Sequence, residues 1–147
     1  MPLSGEYAAS PWDWVREQVA EYEASGGARA NTLRDTGLPV VIVTTRGRRT
    51  GAIRKSPVMR VEHGGAYGLV ASKGGAPDNP EWYLNIAEHP DEVMVQDGPE
   101  PFDADVHEAS GAERDAWWAR AVAAYPPYAE YQERTTRTIP VVVATPR

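Results

Sequence analysis

The sequence predicts an α+β fold that is mainly β: a small barrel of about six short, mostly antiparallel strands with helices at the periphery. Three observations lead to it. Aliphatic and β-branched runs recur between Gly, Pro, His-Gly-Gly and Asp-Gly turns, as strands joined by hairpins do. Helix start signals occur towards the two ends of the chain and in one short central segment. At 147 residues the chain fits a single domain, 1–147, able to bury roughly two thirds of its unfolded surface. Within it, 1–37 is expected to be an N-terminal helix and loop and 38–147 the barrel core.

Each element has its own reason. Ser10-Pro11-Trp12-Asp13 reads as a capping box with proline at the first helical position. Trp12, Val15, Val19 and Tyr22 then share one face, and Gly26-Gly27 stops the helix. Residues 28–37 read as loop. Val40 to Thr44 is a buried strand, and 45–51 is a turn with glycines near both ends. Ala52 to Glu62 is extended, with Pro57 marking an edge or a bulge. His63-Gly64-Gly65 turns the chain into a strand at 67–72. Residues 73–80 are loop, and 81–88 a short helix with Asn79 as cap. Val93–Gln96 and 102–107 form a hairpin around Asp97-Gly98. Ser110 to Glu113 is a second capping box, opening a helix to about Ala124. Pro126-Pro127 breaks it, a helical turn restarts near Tyr128, and 139–144 is the last strand.

Charge is unevenly spread. The chain carries 15 Lys+Arg against 21 Asp+Glu, a net charge of -6, yet no acid lies between Asp35 and Glu62. That interval holds Arg46, Arg48, Arg49, Arg54, Lys55 and Arg60. Net acidity argues against general affinity for nucleic acid, whereas a concentrated basic strip argues for one local anionic ligand. A solvated edge strand guarded by charge is the bland alternative. Three arginines in a glycine-flanked turn offer planar forks for carboxylate or phosphate, without the spacing of a Walker loop. Ser72-Lys73-Gly74-Gly75 adds a second turn whose backbone can approach a ligand closely. Tyr125, Tyr128 and Tyr131 recur every third residue; a phenol stays protonated at neutral pH and can donate to developing negative charge.

Other chemistries are disfavoured. Zero cysteines exclude disulfides and thiolate chemistry. His63, His89 and His107 are isolated, so no metal site is expected. No nucleophile elbow or dinucleotide fingerprint occurs. The aliphatic run 40–43 is far shorter than the ~20 apolar residues of a membrane helix, and no secretory signal opens the chain. A cytoplasmic protein, monomer or homodimer, is expected, whose reactivity comes from an organic cofactor.

Four blocks carry a resemblance: Thr44 to Gly51, Ala71 to Pro77, Asn79 to Asn85, and Tyr125 to Tyr131 followed by Thr138 to Val143. Together they resemble the deazaflavin-dependent nitroreductase family of actinobacteria, split β-barrel proteins that bind coenzyme F420. The resemblance implies that Arg48, Arg49, Thr50, Arg54, Lys55, Ser56, Pro57, Val58 and Met59 hold the phosphate, the oligoglutamate tail and part of the ring. It implies that Val70, Ala71, Ser72 and Lys73 line the ring and phosphate, that Trp82, Tyr83, Leu84 and Asn85 cover another side, and that Tyr128 touches the cofactor. Ser72, Tyr125, Tyr128 and Tyr131 would surround a small-molecule acceptor (quinone, activated alkene or nitro compound) as the polar groups nearest the chemistry. The sequence departs from the family at Arg49, often lysine, and at Lys55-Ser56. FMN is the runner-up cofactor. A non-catalytic carrier of a deazaflavin or haem-like anion is the alternative role.

Overall fold

The computed structural model describes residues 5–33 and 36–147. Among the described residues are seven strands: β1 (Val40–Arg46), β2 (Ile53–Met59), β3 (Glu62–His63), β4 (Ala66–Val70), β5 (Val93–Gln96), β6 (Pro101–Glu108) and β7 (Val141–Pro146). Four helices accompany them: α1 (Asp13–Ser25), α2 (Glu81–Glu88), α3 (Gly111–Ala124) and α4 (Pro127–Glu133). The mainly-β α+β expectation holds.

All strand pairs are antiparallel, in the order β2-β1-β5-β6-β7-β4-β3. The first and last strands of that order are separated in sequence by Arg60 and Val61 alone, so the sheet curls back on itself. Strand β6 makes the other join. Its residues 101–103 pair with β5 and its residues 104–108 with β7. The extended run expected from Ala52 to Glu62 is therefore two strands. At Arg60 the backbone N–H bonds the Pro39 carbonyl beside β1, and at Val61 the carbonyl accepts from Gly68 in β4.

The aliphatic run in β1 is explained by burial on both faces. Val40 and Ile42 join one cluster, with Val19, Tyr22, Met59, Val70, Val141 and Val143, against which α1, α3 and α4 pack. Val41 and Val43 point the other way, to Val58, Leu69, Val95, Val142 and Ile86 of α2. Edge position explains Pro57: β2 ends the sheet, so the missing N–H is not needed by an outer strand. At Ile53 the N-terminal segment covers that edge, through Ile53 N–H to the Glu6 carbonyl (2.7 Å) and Ala8 N–H to the Ile53 carbonyl (2.9 Å).

Helix α1 ends as expected. Gly26 is left-handed (φ 60°), and Gly27 N–H reaches back to the Tyr22 carbonyl at 2.9 Å. Its start differs. The N-cap is Trp12, in extended conformation and exposed, so Trp12 leaves the face that Val15, Val19 and Tyr22 share. Ser10 accepts the Trp12 N–H, from a position three residues ahead of the helix. The other two expected caps fail for similar reasons. Asn79 is taken by Arg137 and Pro80 is the N-cap of α2. Ser110 makes no side-chain cap bond, and Glu113 pairs with His107 instead. No helix among the described residues is long and apolar enough to cross a membrane.

Candidate functional site

A cavity of about 680 Å³ opens between β2, β4, the turn after β4, α2 and α4. Edge strand β2 contributes Pro57, Val58 and Met59, and β4 contributes Val70. The turn after β4 supplies Ser72, Lys73 and Gly74, and Pro80 and Trp82 enter at the start of α2. Tyr125, Tyr128 and Tyr131 form the opposite wall.

The tyrosines meet because Pro126-Pro127 ends α3 and lets α4 begin immediately, at Pro127. Their rings pack pairwise, with centroids 5.0 Å apart for Tyr125 and Tyr128 and 6.1 Å for each with Tyr131. The Tyr125 and Tyr131 hydroxyls are 3.1 Å apart. That hydrogen bond, followed by burial, pushes the Tyr125 pKa up to about 12. Burial raises Tyr128 further, and it is 3% exposed although Glu130 and Glu133 follow it on the same short helix. No hydrogen-bond partner among the described residues reaches the Tyr128 hydroxyl. Both phenols keep their protons at neutral pH.

A tight approach holds the glycine turn beside this wall. A Cβ on Gly75 (φ +83°) would lie 2.7 Å from the Tyr131 carbonyl oxygen, so only glycine lets the turn sit against α4. Lys73 stands at the rim, 3.3 Å from Asp78.

The basic strip is acid-free in sequence but not in space. Arg46 pairs with Glu92 (2.9 Å), Arg48 with Glu81 (3.3 Å), Lys55 with Glu23 (2.5 Å) and Arg60 with Asp97 (2.8 Å). Arg54 donates to the Ala8 carbonyl at 3.2 Å. Arg49 and Thr50 are exposed in the turn, and Ser56 is half-buried in β2. Asn85 anchors the turn: its Oδ1 accepts Arg48 N–H at 3.0 Å while its Nδ2 donates to Thr45. The Arg48 Nε is buried with no hydrogen-bond partner among the described residues.

Of the residues singled out from sequence, the structure brings Pro57, Val58, Met59, Val70, Ser72, Lys73, Trp82, Tyr125, Tyr128 and Tyr131 around one cavity. It does not bring Arg48, Arg49, Thr50, Arg54, Lys55, Ser56, Ala71, Leu84 or Asn85 to that lining; the basic strip is drawn to acids and carbonyls of other elements, and Ala71 and Asn85 are buried supports. Tyr83 turns towards a separate, smaller hollow with Val106 and Val142, and its hydroxyl donates to Glu108. Trp14, Leu33, Thr36 and Pro80 line the cavity without having been expected. Trp14 was detectable in principle. It follows the Trp12 that the periodicity placed inward, and a helix starting two residues later exchanges their roles. No cluster of His, Asp and Glu able to hold a metal occurs among the described residues.

Comparison with known proteins bears on the family and the fold. A family model described as F420H2-dependent quinone reductase matches residues 14–146. An F420H2-dependent quinone reductase of Mycobacterium tuberculosis (strain H37Rv) is 36% identical over 112 residues, covering 74% of this chain and 74% of the relative. A second, putative quinone reductase of that strain is 32% identical over 111 residues, covering 75% and 92%. Among solved structures, an F420-H2 dependent reductase (FDR-A) superposes with a TM-score of 0.67 at 50% identity, covering 72% of this chain and 93% of that one. A chain described as a domain-swapped dimer gives 0.69 at 47% identity, covering 92% and 99%.

Proposed function

Since the chain belongs to the F420H2-dependent quinone reductase family, we propose that it reduces a quinone-type acceptor in the tyrosine-walled cavity, with coenzyme F420 as the source of electrons. The residues present fit such a cofactor. Pro57, Val58, Met59 and Val70 give a flat ring an apolar bed, and Lys73 at the rim offers a donor to an anionic tail. When bound, the reduced deazaflavin supplies a hydride.

The remaining work falls to the chain. Reduction of a quinone to a quinol takes one hydride and one proton, and negative charge gathers on the acceptor oxygen as the hydride arrives. The Tyr125–Tyr131 pair supports a donor role: with its pKa pushed up to about 12, Tyr125 is a neutral O–H at physiological pH. A preorganised donor of this kind lowers the barrier by ~3 kcal/mol. Ser72 offers a further hydroxyl on the facing wall. Trp14, Trp82 and the three tyrosine rings exclude water and orient a flat acceptor against the cofactor.

The observation that carries this reading is the convergence of three tyrosines and the β2 apolar patch on one cavity. Fluorescence titration with F420, run beside FMN, tests the cofactor. Oxidation of F420H2, followed by absorbance with quinone, activated-alkene and nitro acceptors, tests the reaction. Binding of FMN alone would replace the cofactor assignment. Binding of F420 without turnover on any acceptor would leave a carrier.

A further inference from the structure

We infer that Arg137, in the loop between α4 and β7, is a positioning residue for cofactor binding: it grips the turn after β4 by its carbonyls and so aims that turn's amides at the cavity. The inference rests on the F420 reading for its ligand, and on geometry for everything else.

Arg137 makes an unusual set of contacts. Its guanidinium donates to the carbonyls of Ala71 (3.2 Å), Ser72 (2.9 Å) and Ala76 (3.0 Å), and to Asn79 Oδ1 (2.8 Å). All four acceptors are neutral and all lie between residues 71 and 79. Its own backbone is fixed as well, because Gln132 donates to the Arg137 carbonyl at 2.7 Å and accepts the Ile139 N–H at 3.0 Å. Burial lowers its pKa, yet a guanidinium stays charged at any physiological pH, so these are charge-assisted bonds.

The consequence follows from the planarity of the peptide. A carbonyl and the N–H that follows it share one trans plane and point in opposite directions. Drawing the Ala71 and Ser72 carbonyls to Arg137 turns the Ser72 and Lys73 amides away from it. No acceptor among the described residues takes either of those N–H groups, whereas the amides of Ala71, Gly75 and Ala76 are all satisfied by carbonyls. Ser72 and Lys73 line the cavity. Arg137 thus leaves two donors open where a ligand oxygen can accept them.

Three variants test this. Arg137→Gln removes the charge and the fork. Arg137→Lys keeps the charge but cannot span four acceptors. Val95→Ala, in the buried β5 core away from the cavity, reports what general destabilisation does. In ligand-free protein, Arg137→Gln is expected to speed amide exchange at Gly75 and Ala76, whose N–H groups are bonded within the turn, while β1 and β5 keep their protection. F420 affinity, read by fluorescence titration, should fall about ten-fold in Arg137→Gln and nearly as far in Arg137→Lys, since several charged-group hydrogen bonds are lost; Val95→Ala should bind normally. Wild-type affinity in Arg137→Gln, or full affinity in Arg137→Lys, would overturn the inference. Wild-type protein that fails to bind F420 would overturn both the cofactor reading and this role, and the first titration shows it before any variant is made.

Discussion

A phenol hydrogen-bonded to another phenol gives up its proton reluctantly, and Tyr125 does so because Tyr131 stands 3.1 Å away. Tyr131→Phe removes one of the two paired hydroxyls and the partner that orients the other, and should lower turnover of F420H2 with quinone by about 10²-fold while changing F420 affinity far less. Separate measurement of kcat and of the cofactor Kd checks it, and a proportionate loss in both would assign Tyr131 to binding. Glu81 presents the opposite case. It occupies the Arg48 guanidinium at 3.3 Å from an exposed position in the first turn of α2, where it competes with any anionic ligand. Glu81→Gln should tighten F420 binding by roughly 2–5-fold, most at low salt. Unchanged affinity at low ionic strength would show that Arg48 does not meet the tail. The tyrosines and the Ser72-Lys73 pair were legible in the sequence because their spacing and turn chemistry are local. Arg137 was not. Its partners lie 58 to 66 residues away in sequence, and nothing in Arg-Thr-Ile-Pro announces them.

At the level of elements, glycines at close approaches decide how helices seat on the sheet. Gly27 closes α1 against the β5–β6 turn, where an added Cβ would lie 2.8 Å from Gly98 Cα at a φ of +81°. Gly27→Ala should cost about 1–3 kcal/mol, read as a lower urea midpoint at unchanged m-value. A midpoint within error of wild type would mean that α1 shifts freely. The Tyr22 hydroxyl, which accepts Gly98 N–H at 2.8 Å and donates to the Gln96 carbonyl, binds the same corner. Strand positions were read well from sequence because alternation and turn residues are strong signals; β1, β4, β5 and the hairpin at Asp97-Gly98 appear close to their expected places. Caps were read poorly. Ser10, Asn79 and Ser110 have the right chemistry, but tertiary partners or a delayed helix start claimed them. The split of the 52–62 run was invisible for a related reason: only the curl of the sheet tells Val61 to leave β1 and join β4.

The whole molecule carries several tyrosines whose protons are held tightly. Tyr67 is pushed up to about 12 by burial and then by its bond to Asp97, and Tyr83 to about 12 by burial and then by Glu108. With Tyr125, they keep protons in the folded state that the unfolded chain, at an ordinary value near 10.0, has released. Where the folded state binds more protons, stability falls as pH rises. Their contribution is complete below about pH 10 and is lost between there and about 12. Thermal melts across that range should decline together with the appearance of phenolate absorbance; a flat Tm through it would contradict the assignment. The same scale explains why the acid-free strip misled on one point. Acids missing from residues 36–61 are returned by Glu23, Glu81, Glu92 and Asp97 from other elements, a compensation that no local window contains.

Arg60 and Val61 tie the two ends of the curled sheet together, and the cavity lies between Met59 just before them and Val70 two residues beyond Gly68, the partner of Val61. The girth of any guest is thus governed by a tether of two residues, and a single residue inserted there is the most direct route to a roomier chamber.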